Sequence, residues 1–191
     1  LRNQDFERSP TLNVFNGFFI LNGPNAKLNL TKVIFTNFYA IYNYTALIFD
    51  SYQNSNIVVE GLIMKNVFFL KGILTMDYVN TSNTKDFLFT LKNTIISQWN
   101  YYDIFLEYGN EIIFGENQNT TVLFAISNPT TISIYNVSLI DSNVYYFMYF
   151  KNIQIDLNFI NVDNLLGSII LAKNCSITVS NLLAKQVKFV T

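Results

Sequence analysis

The chain has 191 residues, a formal net charge of -1 and only 13% charged residues, so it offers no basic surface for nucleic acid or an anionic membrane. Histidine is absent and the single cysteine, Cys175, has no second cysteine to bond, which removes the commonest general base and the thiolate metal sites. Half of the residues are apolar, including 18 Phe and many Ile, so we expect a packed domain, with Cys175 as a small buried apolar residue.

A ten-residue pattern recurs along the chain and predicts its strands. It consists of an alternating apolar and polar run, a bend at the fifth position, a second alternating run, and an amide or carboxylate at the tenth position. Before its first copy, the segment 18–27 resembles the second half of a unit. The six copies begin at Leu28, Ile57, Phe89, Ile132, Ile155 and Ile177, and the starts lie 22 to 43 residues apart. Alternation with period 2 and the wealth of Ile, Phe and Tyr are typical of strands.

The copies separate a core side from an outer side. The third and eighth positions are apolar in every copy and are expected to face the core. The third positions are Leu30, Val59, Leu91, Ile134, Leu157 and Val179, and the eighth are Phe35, Met64, Ile96, Leu139, Val162 and Ala184. A second apolar burst, predicted to be another strand, follows the first five copies at 46–49, 72–74, 104–106, 146–148 and 168–171.

The interval of 43 residues between the starts at Phe89 and Ile132 is nearly two of the short intervals long. Its residues 107–131 are either a degenerate coil or a protruding insertion, and the pattern leaves both open. We predict that 1–191 is a single β-solenoid segment, part of a longer protein or fibre, because neither end of the pattern has a recognisable cap over its strand edges.

The coil pattern I-x-I-x-N-V-x-F-x-N resembles the right-handed parallel β-helix of the pectin-lyase-like superfamily. It is similar above all to the long coil arrays of protist surface proteins, such as those of ciliates. The resemblance covers about 12–190 and implies an all-β fold, a right-handed parallel β-helix of about 6–7 coils. It is specific for architecture and carries no activity with it, since one fold hosts many functions.

The tenth position holds an amide or a carboxylate in every copy. Counting from the core-facing positions, alternation points these side chains inward at the end of a strand. Strands about 4.8 Å apart let stacked amides hydrogen-bond to one another, which satisfies polar groups that are otherwise costly to bury. We therefore predict a structural amide ladder, with the carboxylate accepting hydrogen bonds from its neighbours. Its members are Asn37, Asn66, Gln98, Asp141, Asn164 and Gln186.

The resemblance also raises an enzymatic alternative. Pectin-lyase-like enzymes use clustered carboxylates with Arg, Lys or His on one outward face, and the outward positions here hold no such carboxylate pair in adjacent copies. Glu60 and Lys92 are expected to be neighbours in an ordinary surface ion pair. Asp77, Asp103 and Glu107 form the best acidic patch, and they define the alternative of a polysaccharide-binding or polysaccharide-cleaving protein, a lyase or hydrolase. The leading prediction is that the chain is not an enzyme and has no catalytic residue, cofactor or metal ligand.

An outward apolar stripe is predicted from the seventh positions of the first three copies, Ile34, Ile63 and Ile95. Three successive exposed Ile are unusual on a monomer. Either a loop, 39–44 or 80–85, covers the stripe, or the stripe forms a lateral contact with another chain.

Six acceptor patterns for N-linked sugar are present. Chance predicts about four in a chain this rich in Asn, Ser and Thr, so their number carries no weight. Their placement on outward strand, loop and bend positions would let most of them carry sugar without burying it. They are Asn29, Asn43, Asn80, Asn119, Asn136 and Asn174.

These features predict a secreted, extracellular β-solenoid glycoprotein of the cell surface. Its role is structural or adhesive, including that of a subunit in a filament or surface coat. The expected partners are copies of itself or neighbouring coils of a longer chain, together with covalent N-glycans. Neither nucleic acid nor a membrane span is expected.

Overall fold

The regular structure of this protein is β. A computed structural model describes residues 16–21, 25, 27–40, 44–49, 55–69, 74–76, 88–99, 121–126, 131–151 and 153–189. In these ranges the strands are β1 (Asn16–Leu21), β2 (Lys27–Thr31), β3 (Ile34–Ala40), β4 (Tyr44–Phe49), β5 (Asn56–Glu60), β6 (Ile63–Phe69), β7 (Leu74–Met76), β8 (Leu88–Ser97), β9 (Thr121–Ile126), β10 (Thr131–Lys151), β11 (Gln154–Lys173) and β12 (Ser176–Lys188). The all-β class is therefore confirmed. No helix within the described ranges is long and apolar enough to cross a membrane.

The twelve strands belong to one sheet, and all of its described pairs are parallel. A first row joins β2, β5, β8, β10, β11 and β12, and it pairs the six copies in the register that the repeat alignment predicts. The paired starts are Leu28 with Ile57, Ile57 with Phe89, Phe89 with Ile132, Ile132 with Ile155, and Ile155 with Ile177. A second row continues each copy beyond its bend, through β3, β6 and the later parts of β8, β10, β11 and β12.

A third row contains β1, β4, β7, β9 and the last parts of β10 and β11. Its β9 pairs with β7 on one side and with β10 on the other, so 121–126, which we had not singled out as a strand, belongs to this row. Residues 104–106 lie outside the described ranges, and the two alternatives for 107–131 stay predictions.

Side chains from all three rows contribute to one hydrophobic core. In the second to fifth copies the third and eighth positions are at most 2% exposed, and Phe147 and Phe150 of the third row join the same cluster. The outer copies differ from this prediction. Leu30 and Phe35 are only half-buried in the first copy, and Val179 in the last copy is 45% exposed. The reason is that, among the described strands, β12 pairs with β11 alone, β2 with β5 alone and β3 with β6 alone, so the core positions of these copies have a described neighbouring strand on one side only.

Two bends per copy turn the chain from row to row. The fifth and tenth residues of all six copies have a positive φ, between 47° and 69°. The left-handed conformation reverses the alternation of side chains locally and redirects the strand. The parallel ladder continues across the first bend, where the amide of Ile63 donates to the carbonyl of Val33 at 2.9 Å and that of Ile95 donates to Leu62 at 2.9 Å.

A β-bulge lies where β10 and β11 enter the third row. Asn143 pairs with Leu166 and Tyr146 pairs with Ser168, so two residues of β10 stand opposite Gly167 alone. Gly167 has a φ of 141°, and a Cβ there would lie 1.8 Å from the carbonyl oxygen of Val144. Glycine is required because both the dihedral angle and the close backbone approach exclude a side chain.

Candidate functional site

The tenth-position side chains lie at the surface, not in the core as we predicted. Asn66 is half-buried and the other five are exposed. The prediction assumed that alternation runs on to the tenth residue. These residues have φ values from 47° to 55°, which breaks the alternation and turns their side chains away from the core.

Hydrogen bonds join some tenth-position side chains of successive copies. The Nδ2 of Asn66 donates to the Oδ1 of Asn37 at 2.9 Å, and the Nδ2 of Asn164 donates to the Oδ1 of Asp141 at 2.8 Å. Each is a bond between surface groups, so it adds about 1 kcal/mol at most to stability. Asn and Asp suit the position for a second reason, because they tolerate the left-handed conformation better than most residues.

Asn164→Ala is expected to lower the free energy of unfolding by about 1–3 kcal/mol. The change removes the bond to Asp141, worth about 1 kcal/mol, and places an alanine at a φ of 52°, which costs about 1–2 kcal/mol. Asn164→Gly is the control, because glycine accepts this φ and loses only the hydrogen bond. Urea unfolding followed by circular dichroism measures both. Equal losses for the two variants would show that the left-handed backbone contributes nothing.

A second stacked line runs along the fifth positions and the residues beside them. The Nδ2 of Asn136 donates to the Oδ1 of Asn93 at 2.8 Å, and the Nδ2 of Asn93 donates to the Oε1 of Glu60 at 3.3 Å. Further along, Asn181 donates to the Oδ1 of Asn158 at 3.0 Å. We missed this line although a signal was present, since the fifth position is Asn in three of the six copies.

The ion pair expected between Glu60 and Lys92 is present, with the Nζ of Lys92 2.9 Å from the Oε2 of Glu60. The hydrogen bond from Lys92 is the main cause that lowers the pKa of Glu60, and Asn93 adds to it, while partial loss of solvent around the carboxylate opposes them. Both side chains are more than a third exposed. An ion pair this exposed to solvent adds little to the stability of the fold.

Lys92→Met is expected to raise the pKa of Glu60 toward its ordinary value, as measured by carbon NMR titration of the carboxyl group. Because the folded-state pKa is lowered, the pair's small stabilisation is present above the unfolded-state pKa and is lost as the pH falls through the folded-state pKa. Lys65→Met, on a neighbouring exposed position, is the control. An unchanged titration in Lys92→Met would contradict the ion pair.

The predicted outward stripe is exposed. Ile34, Ile63 and Ile95 lie in register in the second row and are 63%, 38% and 45% exposed. A row of three aliphatic side chains on one face is suited to contact with an apolar surface. The lateral contact itself stays a prediction.

Three of the six acceptor asparagines lie in the described part of the chain, and all three are exposed. Asn29 lies on β2, where its Oδ1 accepts a hydrogen bond from Thr31, the hydroxyl residue of its own acceptor pattern, at 3.4 Å. Asn136 and Asn174 occupy left-handed positions with a φ of 52° each. The other three, Asn43, Asn80 and Asn119, lie outside the described ranges.

The acidic patch of the enzymatic alternative, Asp77, Asp103 and Glu107, lies outside the described residues, so that alternative stays a prediction. Within the described ranges no group of three or more His, Cys, Asp or Glu side chains is placed to hold a metal ion. Cys175 is half-buried rather than fully buried, and its thiol donates to the carbonyl of Lys173 at 3.2 Å.

An aromatic pair at and beside the fifth positions was not predicted from the sequence. The rings of Tyr135 and Phe159 have centroids 5.4 Å apart at an interplanar angle of 77°. Both side chains face solvent, at 45% and 48% exposure. Two exposed rings with polar amides around them form a surface on which an amphipathic ligand can pack.

No protein-family model, curated protein or solved structure matches the chain.

Proposed function

We propose that the chain is a segment of a secreted β-solenoid glycoprotein with a structural or adhesive role at the cell surface, as in a filament or surface coat. The proposal is carried by one observation, the six copies that pair in unbroken parallel register and bend at the same two positions. Units that contact only their neighbours give a stiff elongated body whose function is mechanical.

The proposed winding is a right-handed parallel β-helix of about 6–7 coils, resembling the pectin-lyase-like superfamily. Crossovers between parallel strands are right-handed in nearly all proteins, and three parallel rows around one core suit this winding. Coils about 4.8 Å apart make a rod roughly 30 Å long.

The long interval fits the winding best as an insertion within one coil. Phe89 pairs directly with Ile132, so a separate coil between them has no place in the first row. The strand at 121–126 supplies the third row of that coil.

Self-association or neighbouring coils are the proposed partners. Val179 and Leu182 of the last copy are 45% and 44% exposed, whereas their equivalents in the fourth copy, Ile134 and Val137, are at most 2% exposed. Covering such side chains is favourable by about 25 cal/mol per Å² of apolar area. A further coil of the same pattern, from a longer chain or another copy, supplies this cover with matching register.

Electron microscopy of the native material tests the structural role. Rods or fibres with a repeat of about 4.8 Å in diffraction are expected. Measurement of the intact mass tests whether the chain is a glycoprotein. A mass above 22.0 kDa that falls after removal of N-glycans is expected. Dispersed compact particles would overturn the structural role, and a polypeptide without sugar from a secreting eukaryotic cell would overturn the glycoprotein assignment.

A further inference from the structure

The acceptor asparagine Asn136 lies directly beside the exposed aromatic pair. Tyr135 precedes it in the chain. Across the sheet, Tyr135 pairs with Asn158 and Val137 pairs with Ile160, which places Asn136 opposite Phe159. Asn136 is therefore the neighbour of Tyr135 along the chain and of Phe159 on the adjacent strand, about 4.8 Å away.

Phe159 has a backbone conformation that is unfavourable for a bulky residue. Its φ is 54°, and the fifth positions of the other copies hold Lys, Gly or Asn. A bulky residue in the left-handed region costs about 1–2 kcal/mol, which burial normally repays. Phe159 is 48% exposed, and its ring packs against a second exposed ring, that of Tyr135. Within the described part of the chain, burial of the ring therefore offsets only part of this cost.

We propose that Asn136 carries an N-linked sugar whose first residue packs against the rings of Tyr135 and Phe159. This inference rests on the proposed secretion of the chain and names one of its six acceptor sites as the site of a structural glycan. The apolar face of a pyranose ring covers exposed aromatic surface, while its hydroxyls stay in contact with water and the neighbouring amides.

The hydrogen-bond geometry of Asn136 is compatible with modification. Its Nδ2 has two N–H groups and donates to the Oδ1 of Asn93 at 2.8 Å. Attachment forms a bond between Nδ2 and the anomeric carbon of a sugar supplied by a lipid diphosphate donor. The bond from that carbon to the diphosphate oxygen breaks, the diphosphate leaves with the electron pair, and one amide proton is lost to a base. One N–H remains for Asn93, so the stacked line persists.

A matched acceptor site lacks this surface. Asn29 is exposed like Asn136, but it pairs across the sheet with Val58. A sugar on Asn29 would therefore stand over an aliphatic residue without a ring pair beside it. Removing it is expected to leave the folded state unchanged in stability.

The test is a double-mutant cycle on the full chain secreted from eukaryotic cells. Peptide mapping first measures occupancy of the acceptor sites, and thermal melts then compare wild type, Asn136→Gln, Phe159→Asn and the double variant, with Asn29→Gln as the control. In the glycosylated protein, Phe159→Asn is expected to lower Tm by about 2–4 °C. In the Asn136→Gln background it is expected to leave Tm unchanged or raise it, because Asn relieves the strain at φ 54°. The loss is expected to persist after the glycan is trimmed to its first sugar.

A second variant distinguishes packing of the sugar on both rings from an effect of the Phe159 substitution alone. Tyr135→Thr, which places at this exposed position the residue found in the first copy, is expected to show the same dependence on the sugar. Equal shifts in both backgrounds would overturn the packing, and so would an unoccupied Asn136 in a chain glycosylated elsewhere. Absence of sugar from every acceptor site would count against the proposed glycoprotein itself, so the two failures are distinguishable.

Discussion

Gly167→Ala is expected to lower the free energy of unfolding by at least about 3 kcal/mol, a large part of the stability of an ordinary domain. The added Cβ would lie 1.8 Å from the carbonyl oxygen of Val144 and 2.9 Å from its carbon. Both atoms belong to the backbone, so no rotamer change relieves the clash, and the φ of 141° is itself suited to glycine alone. Thermal melts followed by circular dichroism should show a fall in Tm of about 6–12 °C or the loss of cooperative unfolding.

Gly61→Asn is the matched control for this bulge. Gly61 has a φ of 69°, and the nearest atoms to a Cβ there, in Lys32, are at 3.5 Å or more. Asparagine occupies the same bend in three other copies. The expected change is therefore within about 1 kcal/mol. A Gly167→Ala protein that melts with the wild type would show that β10 and β11 do not form this bulge in solution.

Leu139→Ala is expected to cost about 2–5 kcal/mol of unfolding free energy. Leu139 is fully buried in the second row, between Ile96 and Val162 of the neighbouring copies. Truncation leaves a cavity that stacked strands on both sides cannot close, because each is held in register by its own ladder. Urea unfolding measures the loss as a lower midpoint at an unchanged slope.

The same substitution in the last copy serves as its control. Leu182 is 44% exposed, so in the dispersed 191-residue chain Leu182→Ala removes fewer contacts and is expected to cost less than about 1 kcal/mol. Similar losses at the two positions would contradict the exposure of the last copy. That result would mean that Leu182 is covered in solution by a further coil or another copy.

Much of the fold was predictable because the repeat carries its own register. Aligning the six starts placed Phe89 opposite Ile132 across an interval of 43 residues, and these two residues are paired in the sheet. Period-2 alternation with one buried side penalises a slip of one residue, since a slip would bring every core side chain to the outside. The burial of interior side chains such as Val59 and Ile96 was predictable from the same alternation.

The candidate site was less predictable because it depends on dihedral angles and on neighbours in space. The pattern located the tenth-position amides, but only their positive φ values turned them outward. The Tyr135 and Phe159 rings meet across two copies, at positions where the other copies hold different residues. A repeat alignment averages over such positions, so it cannot single out a pair that occurs once.

The sequence by itself determined the β class, the repeating unit, the bend positions and the pairing of the first row. These follow from the alternation of apolar and polar residues, which is present in each of the six copies. The tertiary structure alone decided that 121–126 pairs between β7 and β10 in the third row, that Gly167 faces a bulge, and that Asn136 lies opposite Phe159. In each case several segments of similar composition could pair with the same strand. Packing and backbone geometry between copies favour one of these pairings, and neither can be read from local sequence.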